Sequence, residues 1–181
     1  MGLRKALAYS KKKVRPYTRK SGRRDKAYIK SIPQSKITKF NMGDQQGFNH
    51  GKHEYSVKLV AGEKVQIRDN ALEAGRMQVN KKLDNEIPGN YYFSIMVYPH
   101  HILRENKSVA AVAGADRLSS GMKHSFGVTV GRAAIVNPGK EIFFVSCTNE
   151  RAARVARQVL IDVKSKVPCK SKVVWEKVRH N

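Results

Sequence analysis

Residues 141–164, which read EIFFVSCTNERAARVARQVLIDVK, decide the fold class of this chain. The first part, Glu141–Cys147, has the composition of a β-strand. Asn149 is suited to cap a helix that continues to about Lys164. The apolar residues of this helix recur at helical spacing and share one face: Ala152, Val155, Ala156, Val159, Leu160 and Val163. A strand followed at once by a one-sided helix indicates a domain that mixes α and β structure.

Other strands surround this stretch. They are predicted at Lys36–Phe40, Tyr55–Val60, Lys64–Arg68, Tyr91–Tyr98, His101–Arg104, Arg132–Val136 and Lys172–Val178. Tyr55–Val60 and Lys64–Arg68 are expected to form a hairpin around Gly62, and residues 41–51 are expected to form a loop.

A second main helix is predicted from Asn70 to about Leu83, and the pair Asn70 and Glu73 has the spacing of a capping box. Gly75 inside it costs about 1 kcal/mol relative to Ala, which close packing on a strand would explain. Strands outnumber the two helices and the connections are short, so we expect an α+β fold with antiparallel or mixed pairing. The predicted apolar face of this helix consists of Leu72, Val79 and Leu83.

The chain carries a large excess of positive charge. Its 181 residues include 36 Lys and Arg against 14 Asp and Glu, for a net charge of +22. Residues 1–40 hold 14 of these bases and only one acid, Asp25. Such an excess causes self-repulsion in a free domain, and a polyanionic partner explains it. We therefore predict a basic, RNA-contacting extension at 1–35 and a single α+β domain at 36–181.

Aromatic residues alternate with the cations of the extension. Tyr9, Tyr17 and Tyr28 can stack on bases while Lys and Arg meet phosphates, which favours RNA contact over a solvated tail. The residues predicted to bind RNA are Arg4, Lys5, Lys11, Lys12, Lys13, Arg15, Tyr17, Arg19, Lys20, Arg23, Arg24 and Lys26. The helix that ends near Lys164 has a basic face that either contacts phosphate or is solvated, formed by Arg151, Arg154, Arg157 and Lys164.

A long internal loop is predicted at 113–127, where AGADRLSSGMKHSFG has neither strand nor helix periodicity. Loops of this length in a small domain are usually functional or disordered. Small and polar residues beside Arg117, Lys123 and His124 suggest a segment that follows an anionic partner. Asp116 is its single acid, so paired carboxylates for general acid–base chemistry are lacking in this loop.

The histidines and cysteines do not have the spacing of a metal site. Cys147 and Cys169 are 22 positions apart and are expected to be free thiols. The histidines at 50, 53, 100 and 101 are expected to be polar surface groups or RNA contacts, with the last two on opposite faces of the chain. Since no apolar run approaches the about 18–20 residues of a membrane helix, we predict no membrane partner. No cofactor is predicted, and no enzyme activity.

Six motifs in order along the chain resemble one protein family. They are RPYTRK (15–20), KITKFNMG (36–43), VQIRDNALEAGRM (65–77), VYPHHILREN (97–106), AGADRLSSGM (113–122) and SFG (125–127). The chain resembles the universal large-subunit ribosomal protein called L-sixteen in bacteria and L-ten-e in archaea and eukaryotes, in its archaeal form. The resemblance extends from about residue 15 to the last predicted strand.

The resemblance implies an α/β-hammerhead fold and a structural role in the large subunit of cytoplasmic ribosomes. The implied partners are large-subunit rRNA, aminoacyl-site tRNA, neighbouring ribosomal proteins and assembly factors that act late in subunit maturation. The family's internal loop extends toward the peptidyl transferase centre and matches 113–127 here. The resemblance puts the following residues on that loop: Gly114, Asp116, Arg117, Ser119, Gly121, Met122, Lys123, His124 and Gly127.

After this loop the chain departs from the family pattern. Family members usually continue with Lys-Pro-x-Gly-Thr, whereas this chain has VTVGR at Val128–Arg132. The alternative function is a free RNA-binding or chaperone protein outside the ribosome. A histidine-dependent nuclease is a third class, for which the sequence offers only the pair His100 and His101.

Deleting residues 118–124 tests whether the loop is separate from the core. We expect the shortened chain to fold, because the segment has no core periodicity, while large-subunit function is impaired. Circular dichroism of the purified variant and ribosome profiles of cells that carry it measure the two effects. A Gly-Ser segment of equal length separates loss of side chains from loss of length. Failure of both variants to fold would place the segment in the core.

Overall fold

Two antiparallel sheets and two long helices make up the fold. This computed structural model describes residues 4–11, 31–105 and 127–178. Its strands are β1 (Asn41–Gly43), β2 (Tyr55–Ala61), β3 (Val65–Arg68), β4 (Tyr91–Ile95), β5 (His101–Glu105), β6 (Val128–Val136), β7 (Glu141–Cys147) and β8 (Ser171–Lys177). Its helices are α1 (Gln45–Asn49), α2 (Asp69–Glu86) and α3 (Glu150–Val163), and a 3-10 turn follows at Lys164–Lys166. The larger sheet has the order β1-β4-β7-β2-β8 and the smaller one β3-β6-β5, with all neighbours antiparallel.

Helix α3 covers the larger sheet. It contacts β2, β7 and β8. Asn149 precedes its first turn at the predicted position, but its side chain makes no capping hydrogen bond. Five of the six residues predicted for its apolar face are buried, and Val155 is partly buried against the same core. The strand-and-helix unit expected from residues 141–164 is therefore confirmed.

Helix α2 lies beside α3 and joins the two sheets, because it contacts β4 of the larger sheet and both β3 and β6 of the smaller one. Its predicted apolar face is fully buried, whereas Met77 is 59% exposed. The buried face consists of Leu72, Val79 and Leu83.

Gly75 allows α2 to approach the larger sheet closely. A Cβ atom on Gly75 would lie 2.8 Å from Cζ of Phe143 in β7 and 3.4 Å from Cγ1 of Val163 in α3. Real Cβ atoms essentially never come as near as the first of these distances. The close packing expected from this helical glycine is confirmed.

The predicted hairpin around Gly62 is wrong. Both strands exist, but β2 lies inside the larger sheet with β7 on one side and β8 on the other. Since both edges of β2 are already paired, β3 has no free edge to join and pairs with β6 instead. Gly62 itself donates its backbone N–H to the Lys170 carbonyl at 2.7 Å.

The strand predicted at Lys36–Phe40 does not form, because acids of α2 bind its backbone instead. Asp69 accepts from the Lys36 N–H at 3.2 Å and Glu73 from the Thr38 N–H at 3.4 Å. These bonds hold Ile37 in the core, where it is 7% exposed. The following residues, expected to be loop, contain β1 and α1.

The capping box predicted for α2 also does not form. The helix begins at Asp69, one residue before Asn70, and Arg68 precedes it without a side-chain cap. The Glu73 carboxylate binds the Arg76 guanidinium at 2.6 and 2.8 Å instead of returning to the helix start. This ion pair lowers the pKa of Glu73.

The expected α+β class with mainly antiparallel pairing is confirmed, while the division at residue 35 stays a prediction. Within the described ranges, no helix is long and apolar enough to cross a bilayer.

Replacing Gly75 by Leu tests the close approach of α2 to β7. The larger side chain must displace the buried Phe143 ring, so we expect a loss of about 1–3 kcal/mol in the free energy of unfolding. Ala74 is exposed on the same helix, and Ala74→Leu is expected to change stability by less than about 0.5 kcal/mol. Urea denaturation of both variants measures the difference. Equal midpoints would contradict the packing argument.

Candidate nucleic-acid interface

The N-terminal segment 4–11 is held against the smaller sheet by side chains of β3. Arg68, which is only 9% exposed, donates from Nη2 to the carbonyls of Arg4 at 2.8 Å and Lys5 at 3.0 Å. Gln66 donates its backbone N–H to the Ser10 carbonyl at 3.1 Å. Three of the predicted RNA contacts in this segment are exposed to solvent: Arg4, Lys5 and Lys11.

Arg4 is not isolated on this surface. Its guanidinium forms an ion pair with Glu105 at the end of β5 and also donates to the hydroxyl of Tyr9. The Arg4 side chain is 43% exposed, and ion pairs at such sites contribute only about 0–1 kcal/mol. A phosphate group can therefore compete with Glu105 for Arg4.

The two ends of the segment 106–126 lie on neighbouring strands. Glu105 of β5 is opposite Val128 of β6, and Arg104 donates to the Gly127 carbonyl at 2.9 Å. The residues that depart from the family pattern, Val128–Arg132, belong to β6 and keep the antiparallel pairing, with one register shift at Leu103 and Arg104. The residues that differ from the family pattern therefore form a strand directly after the loop.

Of the residues predicted on the internal loop, only Gly127 lies within the described ranges. The following predicted loop residues lie outside them: Gly114, Asp116, Arg117, Ser119, Gly121, Met122, Lys123 and His124. The same holds for most of the extension: Lys12, Lys13, Arg15, Tyr17, Arg19, Lys20, Arg23, Arg24 and Lys26. Their roles stay predictions.

The exposed side of α3 carries Arg151, Arg154 and Arg157. Arg154 pairs with Glu150 one turn earlier at 2.7 Å, and both side chains are more than half exposed. Such a pair is weak in water, so it does not remove the positive charge of this face. Whether the face binds phosphate or is solvated stays open.

The histidines differ in their burial. His50 and His100 are exposed, and His101 next to it is 8% exposed, as expected for neighbours on opposite sides of the chain. The prediction of a surface group is wrong for His53, which is 3% exposed, and for His101, which is also buried. Burial lowers the pKa of His53, with Asp44 at 4.0 Å opposing the shift. A buried neutral imidazole is a core group and not an RNA contact.

Both cysteines are free thiols, as predicted. Burial raises the pKa of Cys147 to about 12. Burial also raises the pKa of Cys169 to about 11, with a contribution from the charge of Glu63. Thiols with such pKa values are protonated near neutral pH and are poor nucleophiles.

Sequence reasoning missed a group of rings where the two sheets meet. We call Phe40, Tyr98 and His100 the aromatic stack. The ring centroids of Phe40 and Tyr98 are 5.4 Å apart, and those of Tyr98 and His100 are 4.4 Å apart. Arg132 of β6 donates to the Tyr98 hydroxyl at 3.3 Å. The Tyr-Pro-His sequence at 98–100, with aromatic rings two residues apart, was the available signal.

The chain was compared with models of protein families. The model of the ribosomal protein L16p/L10e family matches residues 13–174. This chain belongs to that family. Within the described residues, the match covers the three helices and all strands except the last three residues of β8, and it begins after the segment 4–11 that β3 holds in place.

Three archaeal relatives, each named large ribosomal subunit protein uL16, support the assignment. The protein of Staphylothermus marinus is 42% identical over 180 residues, which cover 99% of this chain and 97% of the relative. That of Hyperthermus butylicus is 42% identical over 174 residues, covering 93% and 90%. That of Methanococcus maripaludis is 40% identical over 178 residues, covering 98% and 96%.

Membership in the L16p/L10e family confirms the predicted class. The protein is a structural, non-enzymatic component of the large ribosomal subunit and works in translation in the cytoplasm. The predicted archaeal resemblance agrees with these three relatives.

Replacing Arg68 by Met tests how the segment 4–11 of this L16p/L10e protein is held. The variant leaves the Arg4 and Lys5 carbonyls without their charged donor, so we expect a loss of about 1.5–3 kcal/mol in unfolding free energy. Trypsin cleavage after Lys11 is expected to become faster. Arg157→Met, on the exposed side of α3, is the matched control and is expected to alter neither measurement. Equal cleavage rates in the two variants would contradict the role of Arg68.

Proposed function

We propose that this L16p/L10e protein binds large-subunit rRNA chiefly through phosphate contacts of its N-terminal extension. The observation that carries the proposal is the concentration of cations in residues 1–40, 14 bases with one acid, on a chain whose family is ribosomal. Phosphates supply the missing counter-charge, and their neutralisation by Lys and Arg releases counterions.

The contacts of segment 4–11 with β3 support a role of the folded domain in orienting this segment. Because Arg68 and Gln66 bind backbone carbonyls, the side chains of Lys5 and Lys11 stay exposed for other partners. The extension that follows then starts from a fixed place beside the smaller sheet. A fixed start reduces the conformational entropy that the arm loses when it binds RNA.

The second part of the proposal concerns the loop 113–127. We infer that it extends toward the peptidyl transferase centre, helps to position aminoacyl-tRNA and supports late assembly of the subunit. The pairing of Glu105 with Val128 supports this inference, since it brings the two residues that flank the loop region together at one end of the smaller sheet. Assembly factors and neighbouring ribosomal proteins are the further proposed partners.

Salt dependence tests the phosphate contacts. If about 6–10 phosphates are neutralised, the affinity for a large-subunit rRNA fragment is expected to fall by roughly 10³–10⁵ between 50 and 200 mM salt. The double variant Lys5→Gln/Lys11→Gln is expected to reduce the slope of log affinity against log salt by about 2. Fluorescence anisotropy with a labelled fragment measures both effects.

Lys58→Gln is the matched control for that experiment. Lys58 lies between Glu141 at 3.2 Å and Glu176 at 3.1 Å, so its charge is already paired within the protein. Its loss is expected to leave the salt slope unchanged. A shallow slope for the unmodified protein would overturn the phosphate-contact proposal.

Sedimentation distinguishes the ribosomal function from the alternative of a free RNA chaperone. The proposal expects the protein to migrate with large subunits at moderate salt. A protein found only in light fractions would favour the chaperone.

A further inference from the structure

We propose that the aromatic stack, together with Arg132, is a binding site for an unpaired RNA base. The inference rests on the proposed function in one respect, that the partner is RNA. It adds a base-stacking site on the folded domain, away from the tyrosines and cations of the extension.

The three rings come from two parts of the chain and form a continuous series. Phe40 precedes β1, and its ring lies nearly parallel to that of Tyr98, with an interplanar angle of 21°. The His100 ring packs against the Tyr98 ring, with an angle of 46° between the two ring planes. Phe40 is half-buried, Tyr98 is 44% exposed and His100 is exposed, so the series runs from the protein surface outward.

Pro99 fixes the last step of this series. The His100 N–H donates to the Tyr98 carbonyl at 3.0 Å, which closes a tight turn around the proline. Proline has the backbone φ that such a turn needs. The turn folds residues 98 and 100 together before binding, so little entropy is lost in ordering their rings.

Arg132 supplies a positioned cation next to the rings. Its Nε donates to the Pro33 carbonyl at 2.6 Å and its Nη1 to the Tyr98 hydroxyl at 3.3 Å. These two bonds keep the guanidinium beside the tyrosine. A base that stacks on the rings brings its own phosphate, and a fixed guanidinium is well suited to meet it.

Single-stranded RNA is the partner that this chemistry fits. Unpaired bases stack on Phe, Tyr and His side chains, and Arg adds charge attraction. An aromatic surface of this kind without a cation fits protein contacts as well. The charge of Arg132, in a protein whose net charge is +22, favours an anionic strand.

A second exposed ring on the molecule offers a contrast. Phe48 is 37% exposed and stacks on Tyr92 with centroids 4.5 Å apart. Its other ring contacts in the described residues are His53 and Phe144, and the acid Asp44 caps the same short helix by accepting from the Gly47 N–H. An acidic neighbour disfavours a phosphate strand, so Phe48 serves as a control.

The test compares two single-stranded ligands of equal charge. One is an adenosine oligoribonucleotide of about 12 residues, within the usual site sizes of single-strand binders. The other is an abasic ribose-phosphate chain of the same length. The full-length protein is expected to bind the base-bearing strand roughly 5- to 100-fold more tightly, the range that stacking of one base provides.

Variants then assign this preference to the stack. Tyr98→Leu/His100→Ala is expected to lose the preference while the salt slope stays the same, because no lysine or arginine is removed and Arg132 keeps its bond to the Pro33 carbonyl. Tyr98→Phe keeps the ring and is expected to keep the preference, as is Phe48→Leu. The single variant His100→Ala is expected to reduce the preference for the base-bearing strand. Because the His100 side chain is exposed, this substitution is expected to leave the fold intact.

The outcomes separate the two proposals. Equal binding of both strands by the unmodified protein, or an unchanged preference in His100→Ala and in the double variant, would overturn the base site. If neither strand binds and an rRNA fragment shows no salt-dependent binding, the proposed function fails as well.

Discussion

The fold depends on the contact between α2 and the larger sheet at Gly75. A helix that touches strands of both sheets must fit between two surfaces at once, and the Phe143 ring leaves no room for a side chain at this position. The close approach brings Leu72, Val79 and Leu83 into the core. It also brings Asp69 and Glu73, at the start of α2, within hydrogen-bonding distance of the residues that precede β1. A glycine that weakens the isolated helix thus makes the tertiary structure possible.

Acids within the described residues act mainly inside the protein. Asp69 and Glu73 bind backbone N–H groups of residues 36 and 38, and Glu141 and Glu176 surround Lys58. Carboxylates used in this way do not offset the charge of the N-terminal extension. Glu105 and Glu150 differ, because they pair with the exposed cations Arg4 and Arg154.

The sequence predicted the helices and most strands well, because apolar periodicity reports directly on which face is buried. It failed where tertiary contacts decided the outcome. The hairpin at Gly62 was wrong because β2 acquires both its neighbours from distant parts of the chain, β7 and β8. The strand at 36–40 was wrong because Asp69 and Glu73 take its backbone donors. The aromatic stack was missed for a similar reason, since Phe40, Tyr98 and Arg132 meet only when the two sheets come together.

The order of strands in the larger sheet has a consequence for the protein before it reaches a ribosome. Within the described residues, the larger sheet ends in two edge strands, β1 and β8, and open edges invite pairing with other copies and aggregation. At one edge β1 is only three residues long. At the other, β8 carries exposed charges at Lys172, Glu176 and Lys177, which disfavour a new strand partner. The two strands that complete the larger sheet therefore also carry the features that disfavour its pairing with another copy.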